Sequence, residues 1–292
     1  MRVEWECGWS GETLSNIIPG TIGPKLWIET MPRADIFHPD FAPSPYWWEA
    51  YTPVAGELAD VPPEARVAIV GGGYAGLAAA LEFMKHGVAA VVFERGALGV
   101  GASTRNGGSV SGGVNVGKSF SGRATEVEPA RAHRLLADAS DAFALIERLI
   151  DEEAIECCWQ KRGRFVGAWT PDHYAAQEKR LAGLNDAAQS GAYMVPRARQ
   201  RAEIASDYYY GGMVVERSAS LHPALYYKGL LDACRRRGVT VCAEAAVERI
   251  TRNGAGWRVA TSRGTVEAGD VVIATNGYTG DLTRRSDAAS SR

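Results

Sequence analysis

Short unbroken apolar runs and helix-period stretches alternate in the first ordered part of this chain. Residues 66–70, Arg-Val-Ala-Ile-Val, form an apolar run that stops at glycines. That pattern predicts a strand buried on both faces of a parallel sheet. Ala75 to His86 strings together good helix formers and stops at Gly87, where a left-handed cap is expected. Ala89 to Phe93 is a second continuous apolar run. Strand, glycine turn, helix and strand in that order make one βαβ unit.

Farther along, Pro129 to about Glu153 places Leu135, Ala139, Ala142, Ile146 and Leu149 on one face with arginine and aspartate opposite, which predicts an amphipathic helix. Gly163 to Trp169 reads as a strand. A helix follows from Thr170, a suitable N-cap ahead of Pro171, to a stop at Gly191. Pro223 to Arg237 predicts a helix closed by Gly238 and feeding a strand at Val239–Cys242. Three more strands are expected at Val247–Thr251, Trp257–Thr261 and Val271–Thr275, the first two joined by an Asn253-Gly254 turn. The result is a second crossover with a β-meander inserted. Residues 1–60 show no sustained period; their prolines and aromatics, among them Trp27, Pro43, Pro45, Tyr46, Trp47 and Trp48, suit an extended arm anchored by packing.

With 292 residues and 46% hydrophobic content the chain is long enough for one large core or two modest ones. A net charge of -2, from 32 basic and 34 acidic side chains, offers no field for nucleic acid or an anionic membrane, so the expected partner is a small molecule. Five cysteines, Cys7, Cys157, Cys158, Cys234 and Cys242, form no C-x-x-C pair, and their odd number argues against a disulfide framework. The start carries no secretion-signal pattern, and the apolar stretch Val67–Met84 is interrupted by glycines and flanked by charge. A cytoplasmic protein without a transmembrane segment is expected.

The chemistry concentrates at Gly71-Gly72-Gly73-Tyr74-Ala75-Gly76, a G-x-G-x-x-G match between the first strand and the first helix. Gly71 permits the tight turn, Gly73 lets the backbone approach a pyrophosphate, and Gly76 lets helix and strand close up. The open amides and positive end of the helix then face the phosphates. Glu94 closes the second strand 23 residues beyond Gly71, near the spacing of an acid that binds a ribose 2′-hydroxyl. These features predict dinucleotide binding, with FAD or NAD favoured over NADP. A polar, glycine-rich loop from Gly99 to Gly108 follows. Its composition suits either a cradle for phosphates and a flavin edge or a plain surface connection.

Taken together, these segments resemble the FAD-dependent D-amino-acid oxidase family, which includes glycine, sarcosine and γ-glutamylputrescine oxidases. VAIVGGGYAGLAAALEF, VVFER, GASTRNGGSVSGG and VVIATNGYTG stand in that family's order and spacing. PSPYWWEAYTP, ahead of the first strand, is similar to the lead-in of the γ-glutamylputrescine oxidase-like branch. The resemblance covers about residues 45–282. It implies an α/β fold: a Rossmann-type, glutathione-reductase-like FAD-binding domain of residues 61–160 and 220–282, with an inserted, incomplete α+β substrate domain at 161–219. An N-terminal arm over 1–60 and a loose tail over 283–292 complete the expected organisation.

By the same resemblance Gly71, Gly73 and Gly76, with Tyr74 and Ala75 between them, hold the FAD pyrophosphate, and Glu94 holds the adenosine ribose with Arg95 beside it. Ser103, Arg105, Asn106 and Gly107 look like the loop that runs toward the isoalloxazine ring. Val247 resembles the position whose backbone meets the adenine, and Thr275, Asn276 and Gly277 the strand-end motif that packs under the cofactor. The implied reaction oxidises the C–N bond of an amine or amino acid, with imine hydrolysis afterwards and oxygen or another electron acceptor taking the electrons.

Arg105 and Asn106 are candidates to stand beside the ring, with loop stabilisation as the equal alternative. His222 suits a helix cap or a buried structural histidine better than a catalytic one. Tyr208, Tyr209 and Tyr210 suit aromatic packing better than a substrate pocket. No His/Cys grouping has metal-ligand spacing and no G-x-S-x-G elbow occurs. Family members continue well past the counterpart of residues 276–280, whereas this chain ends in DLTRRSDAASSR, so a truncated member with weakened FAD affinity and aggregation-prone sheet edges is expected. An NAD-dependent dehydrogenase and a non-catalytic flavoprotein fragment are the alternatives. A tRNA-modifying flavin relative gains nothing from the near-neutral charge.

Overall fold

The computed structural model describes residues 38, 40–53, 58–112, 128–280 and 282. Most of the expected arm and the tail expected over 283–292 lie outside the described residues. In chain order the elements are β1 (Glu64–Val70), α1 (Tyr74–Lys85), β2 (Ala90–Phe93), β3 (Ser109–Ser111), α2 (Pro129–Glu152), β4 (Arg164–Gly167), α3 (Pro171–Ala188), β5 (Ala192–Pro196), β6 (Gly211–Val215), β7 (Ser218–Ser220), α4 (Pro223–Arg236), β8 (Thr240–Cys242), β9 (Val247–Asn253), β10 (Gly256–Thr261) and β11 (Gly264–Ile273). Residues 1–106 together with 230–292 make one compact unit, and residues 107–229 a second.

The first unit is built on a six-stranded sheet in the order β8-β2-β1-β11-β10-β9. β8, β2, β1 and β11 run parallel, and β10 and β9 extend the sheet antiparallel. The alternation of side chains fixes what lies on each face. Ala68, Val91, Phe93, Val259, Val266 and Ala268 join one buried cluster with Cys242 and Ala245. On the α1 side Ile69 and Leu77 are fully buried, as are Leu230 and Leu231 from α4. Each such leucine contributes about 1.5–3 kcal/mol of burial. The Cys234 thiol of α4 lies 3.4 Å from the Leu77 carbonyl of α1 and donates to it.

The second unit contains a three-stranded antiparallel sheet, β4-β6-β5, and a small β3-β7 ladder. Leu184, Ala192, Met213 and Val215 form its core, with Leu136 of α2 and Leu181 of α3 packed against them. The segment 161–219, expected as a partial substrate domain, lies within this compact unit of 107–229; from α2 it is Leu136 that packs on the core, while Leu135 and Ala142, expected on the apolar face, are exposed.

Thr170 does cap α3, its hydroxyl accepting from the His173 amide at 3.2 Å with Pro171 in the first turn. The helix nevertheless stops at Ala188, with Gln189 left-handed at φ 47, rather than running to Gly191. The cause is Asn185, whose side chain accepts from the Ala192 amide at 2.7 Å and donates to the Ala192 carbonyl at 2.9 Å, turning the chain into β5. β11 begins at Gly264 rather than Val271. Its first half pairs with β10, and a glycine inside it at 269 hid the period.

Candidate functional site

β1, β2 and β11 end side by side, and the site is assembled where they stop. The Gly71 amide donates to Phe93 O at 2.8 Å and the Ala274 amide to Val70 O at 2.8 Å, so the chain leaves β1 pinned between its two neighbours. Gly71 has φ +108, and a Cβ there would sit 2.6 Å from Ala274 O. Only glycine meets both demands. α1 starts at once: Gly73 is its N-cap without any side-chain cap, and the Leu77 amide donates back to Gly73 O at 3.0 Å. A Cβ on Gly76 would overlap the Gly71 carbonyl, so this glycine sets how closely helix and turn approach. A Cβ on Gly73 would meet only Ser103 Oγ, at 3.0 Å, which leaves the backbone open on that side.

Glu94 stands at this junction. Its Oε2 accepts from the Gly72 amide at 2.9 Å and its Oε1 from the Gly96 amide at 3.3 Å, while its backbone bridges to Cys242 O and the Ala245 amide of the next segment. Ser103 Oγ accepts from the Tyr74 amide at 3.1 Å in the first turn of α1. Asn106 Nδ2 donates to the carbonyls of Ala102 and Ser103 and reaches Tyr74 Oη at 3.4 Å. Arg105 Nε donates to Val100 O at 2.8 Å, and the guanidinium lies 4.6 Å over the Trp48 ring. The bonds seen for Arg105 and Asn106 are those of loop-holding residues.

After β11 the chain enters a short 3-10 turn, Asn276–Tyr278, with Asn276 at φ 50 and Thr275 Oγ1 2.6 Å from Thr279 Oγ1. The Arg95 guanidinium lies 5.2 Å over the Tyr278 ring. Val247 opens β9, packed against the cluster that holds Phe93. Hydrogen bonds thus join Glu94, Ser103 and Asn106 to the Gly71–Gly76 turn, with Thr275 adjoining Gly71, whereas Arg105 bonds to Val100 and lies over Trp48. Gly107 belongs to the second unit.

In that second unit His222 Nδ1 accepts from the Leu225 amide at 3.2 Å, capping α4, and burial lowers its pKa. Tyr208 and Tyr209 form an edge-on aromatic cluster with Trp169, at centroid distances of 5.5 and 5.8 Å. Arg197 stacks 4.7 Å over Tyr210. Burial pushes the Cys157 thiol up to about 11, which removes it as a nucleophile near neutral pH. Sequence reasoning missed the Gly72 amide, Trp48 and Thr104. The first was hidden in the x of the glycine motif; the other two lie in the segments PSPYWWEAYTP and GASTRNGGSVSGG, but nothing in either segment points to the bond between them.

Strand, glycine turn, helix and a strand-end acid bonded into the turn are what a dinucleotide diphosphate requires. The profile of the DAO family, described as FAD dependent oxidoreductase, matches residues 66–291. The chain belongs to this family. A probable oxidoreductase OrdL of Haemophilus influenzae is 30% identical over 223 residues, 73% of this chain and 49% of that protein. The gamma-glutamylputrescine oxidoreductase of Escherichia coli is 31% identical over 219 residues, 74% and 50% of the two chains. The chain therefore spans about half the length of the curated relatives it matches.

Glycine oxidase from Geobacillus kaustophilus superposes with a TM-score of 0.60 at 21% identity, over 73% of this chain and 55% of that one. L-amino acid deaminase from Proteus myxofaciens gives 0.64 at 16%, over 76% and 47%. These two likenesses support the Rossmann-like α/β fold, and membership of the DAO family sets aside the NAD-dependent dehydrogenase. Among the described residues no helix is long and apolar enough to cross a membrane.

Proposed function

We propose that this DAO-family chain binds FAD with its pyrophosphate over the Gly71–Gly76 turn and serves the oxidation of the C–N bond of an amine or amino acid. One observation carries the reading: the Glu94 carboxylate lies 2.9 Å from the Gly72 amide, at the ends of two adjacent parallel strands and at the N-terminus of α1. In this reading the turn amides and the positive helix end hold the diphosphate. Glu94 would accept from ribose hydroxyls, with Arg95 beside it, and the Val247 backbone would border the adenine. Ser103 and the loop to Gly107 lead toward the flavin ring, and Thr275, Asn276 and Gly277 pack beneath it. Bound there, FAD supplies the acceptor for the hydride removed from the carbon that carries the neutral amine. The overall reaction would be completed by hydrolysis of the imine, with oxygen or another carrier as the final electron acceptor.

The substrate class follows from the relatives, whose names specify gamma-glutamylputrescine, glycine and L-amino acids. All present an amino-bearing carbon. The experiment is a titration of purified protein with FAD, read by the shift of the flavin absorbance bands, followed by dye-reduction and peroxide assays over a panel of amines and amino acids. A saturable spectral shift that moves to about tenfold or higher FAD concentrations in Glu94→Ala supports the cofactor reading. No shift at tens of micromolar FAD overturns it. Saturable binding without turnover on any amine would leave a flavin-binding protein and refute the reaction.

A further inference from the structure

Thr104 is fully buried although it lies in a polar, glycine-rich loop. A buried hydroxyl requires partners for its proton and its lone pairs. Thr104 Oγ1 donates to Gly99 O at 2.6 Å across the loop and accepts from the Trp48 indole at 2.8 Å. The face of the same indole carries the Arg105 guanidinium at 4.6 Å, while Arg105 Nε ties back to Val100 O. Trp48 thus grips two successive loop residues, one by its edge and one by its ring.

Trp48 is itself fixed. Its amide donates to Pro45 O at 3.0 Å, and Thr52 Oγ1 donates to its carbonyl at 2.6 Å, closing the 3-10 turn Tyr46–Glu49. Three residues on, the Tyr51 hydroxyl reaches Leu98 O at 3.4 Å, and burial raises its pKa. On the other side of the loop Ser103, the immediate neighbour of Thr104, accepts from the Tyr74 amide of α1. Residues 98–106 are therefore held between the Tyr46–Thr52 segment and the first turn of the helix.

We infer that Tyr46–Thr52 is a clasp and that Trp48 is a positioning residue: by holding Thr104 and Arg105 it sets Ser103 against the Tyr74 amide and orders the Gly99–Asn106 loop before the cofactor arrives. The clasp rests on the reading of this loop as part of the flavin cradle. Ordering a glycine-bearing loop costs conformational entropy, and a loop ordered in advance spares ligand binding that cost. The tryptophan was expected to be a packing anchor. Its indole N–H bond to a fully buried hydroxyl gives it a directional role that packing alone does not need.

The test uses the full chain and two readouts: amide hydrogen exchange of residues 99–106 in FAD-free protein, and FAD affinity from absorbance titration. Trp48→Phe keeps a ring under Arg105 but removes the donor, and Thr104→Val keeps shape but removes both bonds. Each is expected to speed exchange of 99–106 and to weaken FAD binding by about tenfold, on the scale of a lost buried hydrogen bond, while exchange of β1 and β2 stays put. Thr104→Ser, which restores the hydroxyl, is expected to bind as the parent does. Arg105→Lys, at an exposed position that tolerates folding, keeps the charge without the flat stack and is expected to give a loss of about threefold. A lower melting temperature in the first two variants with unchanged loop exchange and unchanged FAD affinity would reduce Trp48 to a packing anchor and overturn the clasp. If the parent binds no FAD, the cofactor reading fails, and loop exchange in the FAD-free variants still decides the clasp.

Discussion

The Gly71–Gly76 turn and the Gly99–Asn106 loop both approach the first turn of α1, yet they are held by opposite means. In the turn, close backbone packing sets the shape: Gly71 lies against Ala274 O and Gly76 against Gly71 O, with the Glu94 carboxylate bracing the Gly72 amide. In the loop, side chains do the holding, through Ser103, Thr104, Arg105, Asn106 and the distant Trp48. The contrast teaches that the turn has one workable geometry, whereas the loop has a geometry that its partners set and can adjust.

Substitutions in the turn should give the largest effects. Gly76→Ala drives a methyl into the Gly71 carbonyl, and the helix must shift or the turn must open. A loss of about 3 kcal/mol or more in chemical-denaturation stability is expected, together with FAD binding. Gly71→Ala combines a left-handed φ with the contact on Ala274 O and should cost roughly 2 kcal/mol. If either variant melts and binds as the parent does, the two regions are not held differently.

Next in size is Glu94→Ala, which frees the Gly72 amide and removes the ribose acceptor. FAD affinity should fall by about tenfold to a hundredfold, with a smaller change in melting temperature. Equal losses in both would make Glu94 a turn brace alone.

A smaller effect comes from His222, whose folded pKa is lowered by burial. Its neutral form is favoured in the fold, so its contribution is complete above the ordinary histidine value of about 6.5 and is lost as pH falls through the lower folded value. Urea midpoints at pH 7.5 and 5.5 should differ less in His222→Asn, which keeps a capping acceptor, than in the parent. An unchanged difference would remove His222 from the acid response. The smallest effect should be Gly107→Ala, where a Cβ meets nothing within 4 Å. Stability within about 0.5 kcal/mol is expected, and a larger loss would mean that the loop's far end is as constrained as the turn.

Legibility followed the same divide. Gly71, Gly76 and Glu94 were readable because their constraints are local: a strand, a tight turn, a helix and an acid at a fixed spacing. Helices α1 and α4 were readable from their helix formers and from the glycines at 87 and 238 that close them, and α2 from a long amphipathic period. Trp48 and Thr104 were not, since a bond between residues 56 apart leaves no trace in either neighbourhood. β5, β6 and β7 escaped for another reason. Gly-Gly-Met-Val-Val lacks a two-residue alternation and Ser-Ala-Ser is too short to show one, and their strand character comes from pairing with β4 and β5 in one case and with β3 in the other. The stop of α3 was misplaced because Asn185 reaches forward to Ala192, which outweighed the glycine signal at 191.

β1 lies between β2 and β11, and the Gly71 bend is shaped against the Ala274 carbonyl at the far end of β11. A chain synthesised from its amino end makes the bend about two hundred residues before the wall it rests on. During translation the Gly71 bend lacks its Ala274 contact until residue 274 has left the ribosome. Any event that halts synthesis ahead of that point yields a nascent chain whose most diagnostic motif is fully encoded but cannot yet close.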